Sequence, residues 1–136
     1  MATTAETAAK PAPTPFDLVG GRDSVARLVG AFYDLMASDP AYADLRKMHA
    51  ADLTPMKNSL TGYLTGWLGG PRDWFEENPG KCMVSLHGPL GVTKETAQQW
   101  VSAMSKALDI AEIDSALAAA MAQAFTQMAS GMIRSD

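Results

Sequence analysis

Apolar residues recur along this chain at intervals of three and four. Val25, Leu28, Val29, Phe32, Leu35 and Met36 fall on one face, which predicts a helix over 22–38. It must stop before Pro40, because the residue preceding a proline is pushed out of helical backbone angles. A shorter helical piece is predicted over 42–47. Leu53, Met56, Leu60, Tyr63, Leu64 and Trp67 repeat the spacing, behind Asp52 or Thr54 as the cap and with Pro55 tolerated in the first turn. Gly69, Gly70 and Pro71 end that helix. Thr93 is placed to cap another, carrying Ala97, Trp100, Val101, Met104 and Leu108. Asp109 with Glu112 resembles a capping box for a last helix through Ile113, Leu117, Met121, Phe125, Met128 and Met132. No stretch sustains the period of two that a half-buried strand requires. The fold class is all-α.

The pattern fails between Gly70 and Thr93. The stretch WFEENPGKCMVSLHGPLGV holds three glycines and two prolines in nineteen residues, with room for one short helical turn over 81–87. A long connection of this kind inside a helical domain is unusual and tends to carry function. His87 lies near its end among Met83, Val84, Leu86, Leu90 and Val92, with Gly88 and Pro89 directly after it. The chain has one other histidine, His49. From these residues alone His87 is either a core histidine held by a backbone carbonyl or an imidazole kept to bind something.

A length of 136 residues, 47% of them hydrophobic, suits one domain with its own core. The net charge is −4 and the basic residues are scattered, so no positive stripe exists to follow a phosphate backbone. Nucleic acid is not an expected partner. The single Cys82 excludes an intrachain disulfide and a cysteine-based zinc site. It suits a reduced, cytoplasmic setting and reads as an inert structural thiol, because no positive cluster surrounds it. Residues 1–15, MATTAETAAKPAPTP, have no apolar core of signal-peptide length and read as a disordered tail before a domain over 16–136. No apolar run is long enough to span a bilayer, so no membrane partner is expected.

The order FYDLM, MHAADL, GWLGGP, SLHGPLGV and QQWVSAM resembles the truncated haemoglobins, and among them the group II branch. The resemblance runs from Phe16 to about Met132. It rests on the GGP turn after the third helix, on a histidine followed by one residue and then proline, and on Trp100 lying thirteen residues beyond His87. It implies a two-over-two arrangement of helices around one haem. His87 would be the proximal iron ligand, its second N–H fixed by a carbonyl near Met83 or Val84. Met83, Leu86, Leu90 and Val92 would line the proximal side and keep water from the iron. With no CxxCH motif, the cofactor would be non-covalent haem b.

The same resemblance implies a distal cage of Tyr33, His49 and Trp100. A phenol O–H, an imidazole N–H and an indole N–H are donors suited to the partial negative charge of bound dioxygen. Each also has a plainer reading: Tyr33 as a half-buried helical residue, Trp100 as core filler, His49 as a solvated turn residue. Met56, Leu60, Tyr63 and Leu64 share one side of the third helix and complete the pocket, with Met104 one turn beyond Trp100.

Two departures from the family stand out. Met56 occupies a distal position where group II members commonly carry a small residue, and it would act as a flexible apolar gate. Cys82, Val84 and Leu86 stand where arginines usually precede the proximal histidine. Propionate anchoring would then fall to Lys57, Arg72, Lys81 or Ser85. The implied function is reversible binding of dioxygen and other diatomic gases by a monomer or homodimer. The alternative is a redox enzyme on the same scaffold, a nitric oxide dioxygenase or peroxidase served by a reductase. A third reading is a helical interaction module with His87 in its core.

Overall fold

The computed structural model describes residues 13–81 and 91–133. Most of the expected tail, residues 1–12, lies outside the described residues. Its last residues do not: Thr14 and Pro15 open helix α1 (Pro15–Val19), so the folded chain begins before Phe16. Thr14 Oγ1 accepts from the Asp17 N–H at 3.2 Å, and Asp17 Oδ2 accepts from the Thr14 N–H at 3.1 Å. This reciprocal box satisfies two of the donors a helix start leaves bare.

Helix α2 (Gly21–Ser38) follows and stops before Pro40, as its spacing predicts. A 3-10 turn (Pro40–Tyr42) leads into the short α3 (Ala43–Lys47). Helix α4 spans Thr54–Trp67, α6 Lys94–Ile110 and α7 Ser115–Met132. Among the described residues there is no strand. Helix α2 packs on α4 and on α6, and α6 packs on α7, which is the two-over-two arrangement.

Helix α4 ends in a Schellman motif. The Gly70 N–H donates to the Thr65 carbonyl at 2.8 Å and the Gly69 N–H to the Gly66 carbonyl at 3.0 Å. Gly69 takes a φ of +101°, which side-chain-bearing residues avoid. A Cβ on Gly70 would lie 2.7 Å from the Phe16 ring, so α1 can sit on this corner only over a glycine. The Phe16 N–H completes the contact by donating to the Leu68 carbonyl at 2.9 Å.

Two elements differ from expectation. A further helix, α5 (Asp73–Glu77), stands inside the irregular stretch. It forms because Trp74 is buried against α4, with its Nε1 donating to Ser59 Oγ at 2.9 Å. The cap of α7 is Asp114, not Asp109: Asp114 Oδ2 accepts from the Leu117 N–H at 3.2 Å. Asp109 remains in the last turn of α6, and Glu112 turns the chain at a φ of +59°. Ile113 is thereby tucked into the core, and α7 starts only after it. At the other end of α6, Thr93 caps as predicted, accepting from the Thr96 N–H at 3.2 Å.

The core holds Leu28, Phe32, Met36, Leu64, Met104 and Phe125 with almost no exposure. A line of rings crosses it. Tyr33 meets Phe32 at 4.9 Å between centroids, Phe32 meets Trp100 at 6.3 Å, and Trp100 meets Phe125 at 5.6 Å. These contacts tie α2 to α6 and α6 to α7, and they hold two of the candidate distal side chains in place.

Candidate functional site

Three elements deliver the polar side chains that the sequence singles out. Tyr33 comes from the middle of α2, His49 from the turn after α3, and Trp100 from the second turn of α6. Tyr33 is 5% exposed and Trp100 4%, while His49 is half-buried. The Tyr33 and His49 rings meet edge to face, centroids 6.2 Å apart at 81°. His49 and Trp100 share a mostly apolar pocket with Leu45, Met48, Val92, Thr96, Ala97 and Met132. The structure thus brings Tyr33, His49 and Trp100 into one neighbourhood.

Burial governs the chemistry of Tyr33. Removing the phenol from water pushes its pKa up to about 12. A phenol keeps its hydrogen at neutral pH in any case, and burial extends that donor state to more alkaline pH.

His49 is held more firmly than its place in a turn suggests. Its Nδ1 lies 2.9 Å from the Leu45 carbonyl oxygen. The Arg46 guanidinium spans the same turn, donating to the carbonyls of Ala50 at 3.0 Å and Ala51 at 3.1 Å, with that of His49 at 3.4 Å. A rigid planar fork across three carbonyls replaces regular helix as the source of order.

The remaining candidates fall into place on α4 and α6. Leu60, Tyr63 and Leu64 are buried on one face of α4, and Met56 is half-buried in its first turn. The Tyr63 ring packs on Trp74 at 5.3 Å and on Phe75 at 5.2 Å. Met104 is wholly buried one turn beyond Trp100; Val92, expected on the proximal side, instead lines the pocket that holds His49 and Trp100, because it is the residue that leads directly into α6. His87, Met83, Leu86 and Leu90 lie outside the described residues, as do Cys82 and Ser85. Of the propionate candidates, Arg72 is already engaged: its guanidinium lies over the Phe75 ring at 4.4 Å.

Sequence reasoning missed Leu45, Met48, Thr96, Ala97 and Met132 as pocket residues. Thr96 and Ala97 were within reach, since they precede Trp100 by four and three positions on one helical face. Leu45 and Met48 sit in and after a five-residue helix too short to show a period.

A family model for the bacterial-like globins matches residues 14–134. The chain belongs to that family. This globin is 33% identical over 95 residues to the group 2 truncated haemoglobin YjbI of Bacillus subtilis (strain 168), covering 70% of this chain and 69% of that one. Its fold superposes on the cold-adapted truncated haemoglobin of Pseudoalteromonas haloplanktis TAC125 with a TM-score of 0.87 and 30% identity, covering 91% of this chain and all of the other. It superposes on the group II 2-on-2 haemoglobin of Agrobacterium tumefaciens with a TM-score of 0.88 and 26% identity, covering 94% and 99%. The globin is thus a group II truncated haemoglobin, and its family implies a haem cofactor and an oxygen-related role. Among the described residues no helix is long and apolar enough to cross a membrane.

The chemistry of the described residues fits the haem that the family implies. Polar groups able to meet a bound gas converge from three elements, and the surfaces around them are apolar. Among the described residues no cluster of histidine, cysteine and carboxylate groups competes as a metal site.

Proposed function

We propose that this globin reversibly binds dioxygen and other diatomic gases on a haem b ligated by His87, beneath a cage of Tyr33, His49 and Trp100. When bound, the haem supplies the iron that holds the gas. The observation that carries the reading is that His49 and Trp100 line one mostly apolar pocket while Tyr33 packs edge to face on His49 beside it.

The side chains divide the work. Tyr33 carries its hydroxyl hydrogen at neutral pH, as any phenol does, and offers it to a ligand that carries partial negative charge. Trp100, wedged between Phe32 and Phe125, offers an indole N–H that the packing prevents from swinging away. Leu45, Met48 and Val92 exclude water, which strengthens each hydrogen bond made inside. Met56, Leu60, Tyr63 and Leu64 form the α4 wall, with Met104 behind Trp100. Met83, Leu86 and Leu90 complete the proximal side around His87. A cytoplasmic setting, with Cys82 reduced, suits this role.

Haem titration into the purified chain tests the reading. The wild type is expected to take one haem and to give a five-coordinate ferrous spectrum, and His87→Ala to lose that spectrum or the haem. A His87→Ala variant with a full haem complement and an unchanged spectrum overturns the ligation.

A further inference from the structure

The line of rings that crosses the core does not stop at Phe125. Phe125 stacks on Trp67 with centroids 5.5 Å apart and planes 25° apart, within the range that offset rings prefer. Trp100 on α6 therefore reaches Trp67, at the end of α4, through the single ring of Phe125, which it meets edge to face at 5.6 Å. Phe125 is wholly buried and Trp100 nearly so, whereas Trp67 is half-buried. The line thus runs from the pocket that Trp100 shares with His49 to an indole that water reaches.

Indole and phenol give up a single electron far more readily than a benzyl ring does, so Phe125 is a bridge and the two tryptophans are stations. Once oxidised, an indole or a phenol sheds a proton. Burial opposes that loss at Tyr33, the other end of the line, whose pKa is pushed up to about 12. At Trp67 the proton can pass to water. Trp74 packs instead on Tyr63 and Phe75, with its N–H engaged by Ser59 Oγ. Of the three tryptophans, Trp67 is the one that joins the line to the surface.

We propose that Trp100, Phe125 and Trp67 form a path that carries an oxidising equivalent from the gas site to the surface, where Trp67 is the place at which a small one-electron reductant, a phenol or ascorbate, is oxidised. The proposal rests on the gas-site reading above and deepens it by adding a second place of reaction. A hydroperoxide reduced at the gas site accepts two electrons and two protons, and its O–O bond breaks to leave an alcohol and water. Trp100 gives up an electron toward the site and regains one from Trp67 through Phe125. Trp67 releases its indole proton to water and stands as a neutral radical until the reductant returns an electron and a proton. Two reductant molecules, each oxidised by one electron, balance one hydroperoxide. The reductant need not enter the apolar pocket at all.

Hydrogen peroxide added to the haem-loaded globin with a nitroso spin trap, followed by peptide mass spectrometry, tests the path. The expected adduct is on Trp67. Phe125→Leu removes the bridging ring, and the adduct is expected to move from Trp67 to Trp100 or Tyr33. A folded Phe125→Leu variant labelled at Trp67 like the wild type overturns the path. Should that variant not fold, Trp67→Phe decides: it is expected to lose most of the peroxide-driven oxidation of a phenol while dioxygen release stays unchanged, and undiminished phenol oxidation overturns the exit. The ferrous carbon monoxide form, with its gas site filled, is expected to carry no adduct on Trp67. An adduct there would mean that peroxide attacks the indole from solution, which also overturns the proposal. A haem spectrum taken beforehand separates the two readings. A chain that takes up no haem sinks the gas-site reading and the path with it, whereas a loaded globin without an adduct on Trp67 sinks the path alone.

Discussion

The phenol of Tyr33, on α2, meets the imidazole of His49, in the turn after α3, edge to face at 6.2 Å between ring centroids. The contact joins a residue placed by regular helix to one placed by hydrogen bonds to backbone carbonyls. It is also where burial has its clearest chemical effect, since Tyr33 titrates near 12 in the folded chain against an ordinary 10.

That shift has a consequence for stability. Between about pH 10 and 12 the unfolded chain loses the Tyr33 proton while the folded chain keeps it. The unfolded state then binds fewer protons, so stability falls as pH rises through this window and is unaffected below it. Tyr33→Phe should remove part of the alkaline loss. Denaturant midpoints at about pH 8 and 11 check it: the difference should be smaller in the variant, and an equal or larger one contradicts the burial argument.

Gly69→Ala should destabilise the fold. The residue sits at a φ of +101°, and an added Cβ would lie 3.0 Å from the Thr14 Cβ at the start of α1. Backbone strain of about 1–2 kcal/mol is expected, with no helical propensity gained because the position lies past the helix end. Thermal unfolding should shift down by a few degrees. An unchanged Tm would mean that the α1 corner yields freely.

Thr65→Val should stabilise it. The Thr65 hydroxyl is buried on α4 and has no hydrogen-bond partner among the described residues. Exchanging it for a methyl group removes a desolvated polar atom, worth about 1 kcal/mol. A lower Tm for this variant would show that the hydroxyl is satisfied in solution.

Much of the fold is legible in the sequence because its helices carry strong punctuation. Pro40 ends α2, Gly69 and Gly70 end α4, and Thr93 opens α6. The misplaced start of α7 shows how such signals mislead: Asp109 and Glu112 have capping-box spacing, but a turn and the buried Ile113 intervene before Asp114. Helix α5 is five residues long, too short for any period, and exists because Trp74 has α4 to pack on. For the distal site, FYDLM, MHAADL and QQWVSAM identify the three side chains. What holds them is less visible. The Gln99–Leu45 bond joins residues 54 apart, and the Arg46 fork follows no motif. His49 therefore reads as a loose donor in sequence and is a tethered ring in the structure.

The cage itself is tested most directly by stopped-flow release of dioxygen and carbon monoxide from wild type, Tyr33→Phe and Trp100→Phe. A charge-assisted hydrogen bond in a dry pocket is worth about 1.5–3 kcal/mol, and roughly 1.4 kcal/mol is tenfold in an equilibrium. Each substitution should therefore speed dioxygen release by about tenfold to a hundredfold, where the loss falls on the off-rate. Carbon monoxide carries less charge on its outer atom and should change much less. Equal shifts for both gases would mean that Tyr33 and Trp100 act through pocket shape, and no shift for either would contradict the cage outright.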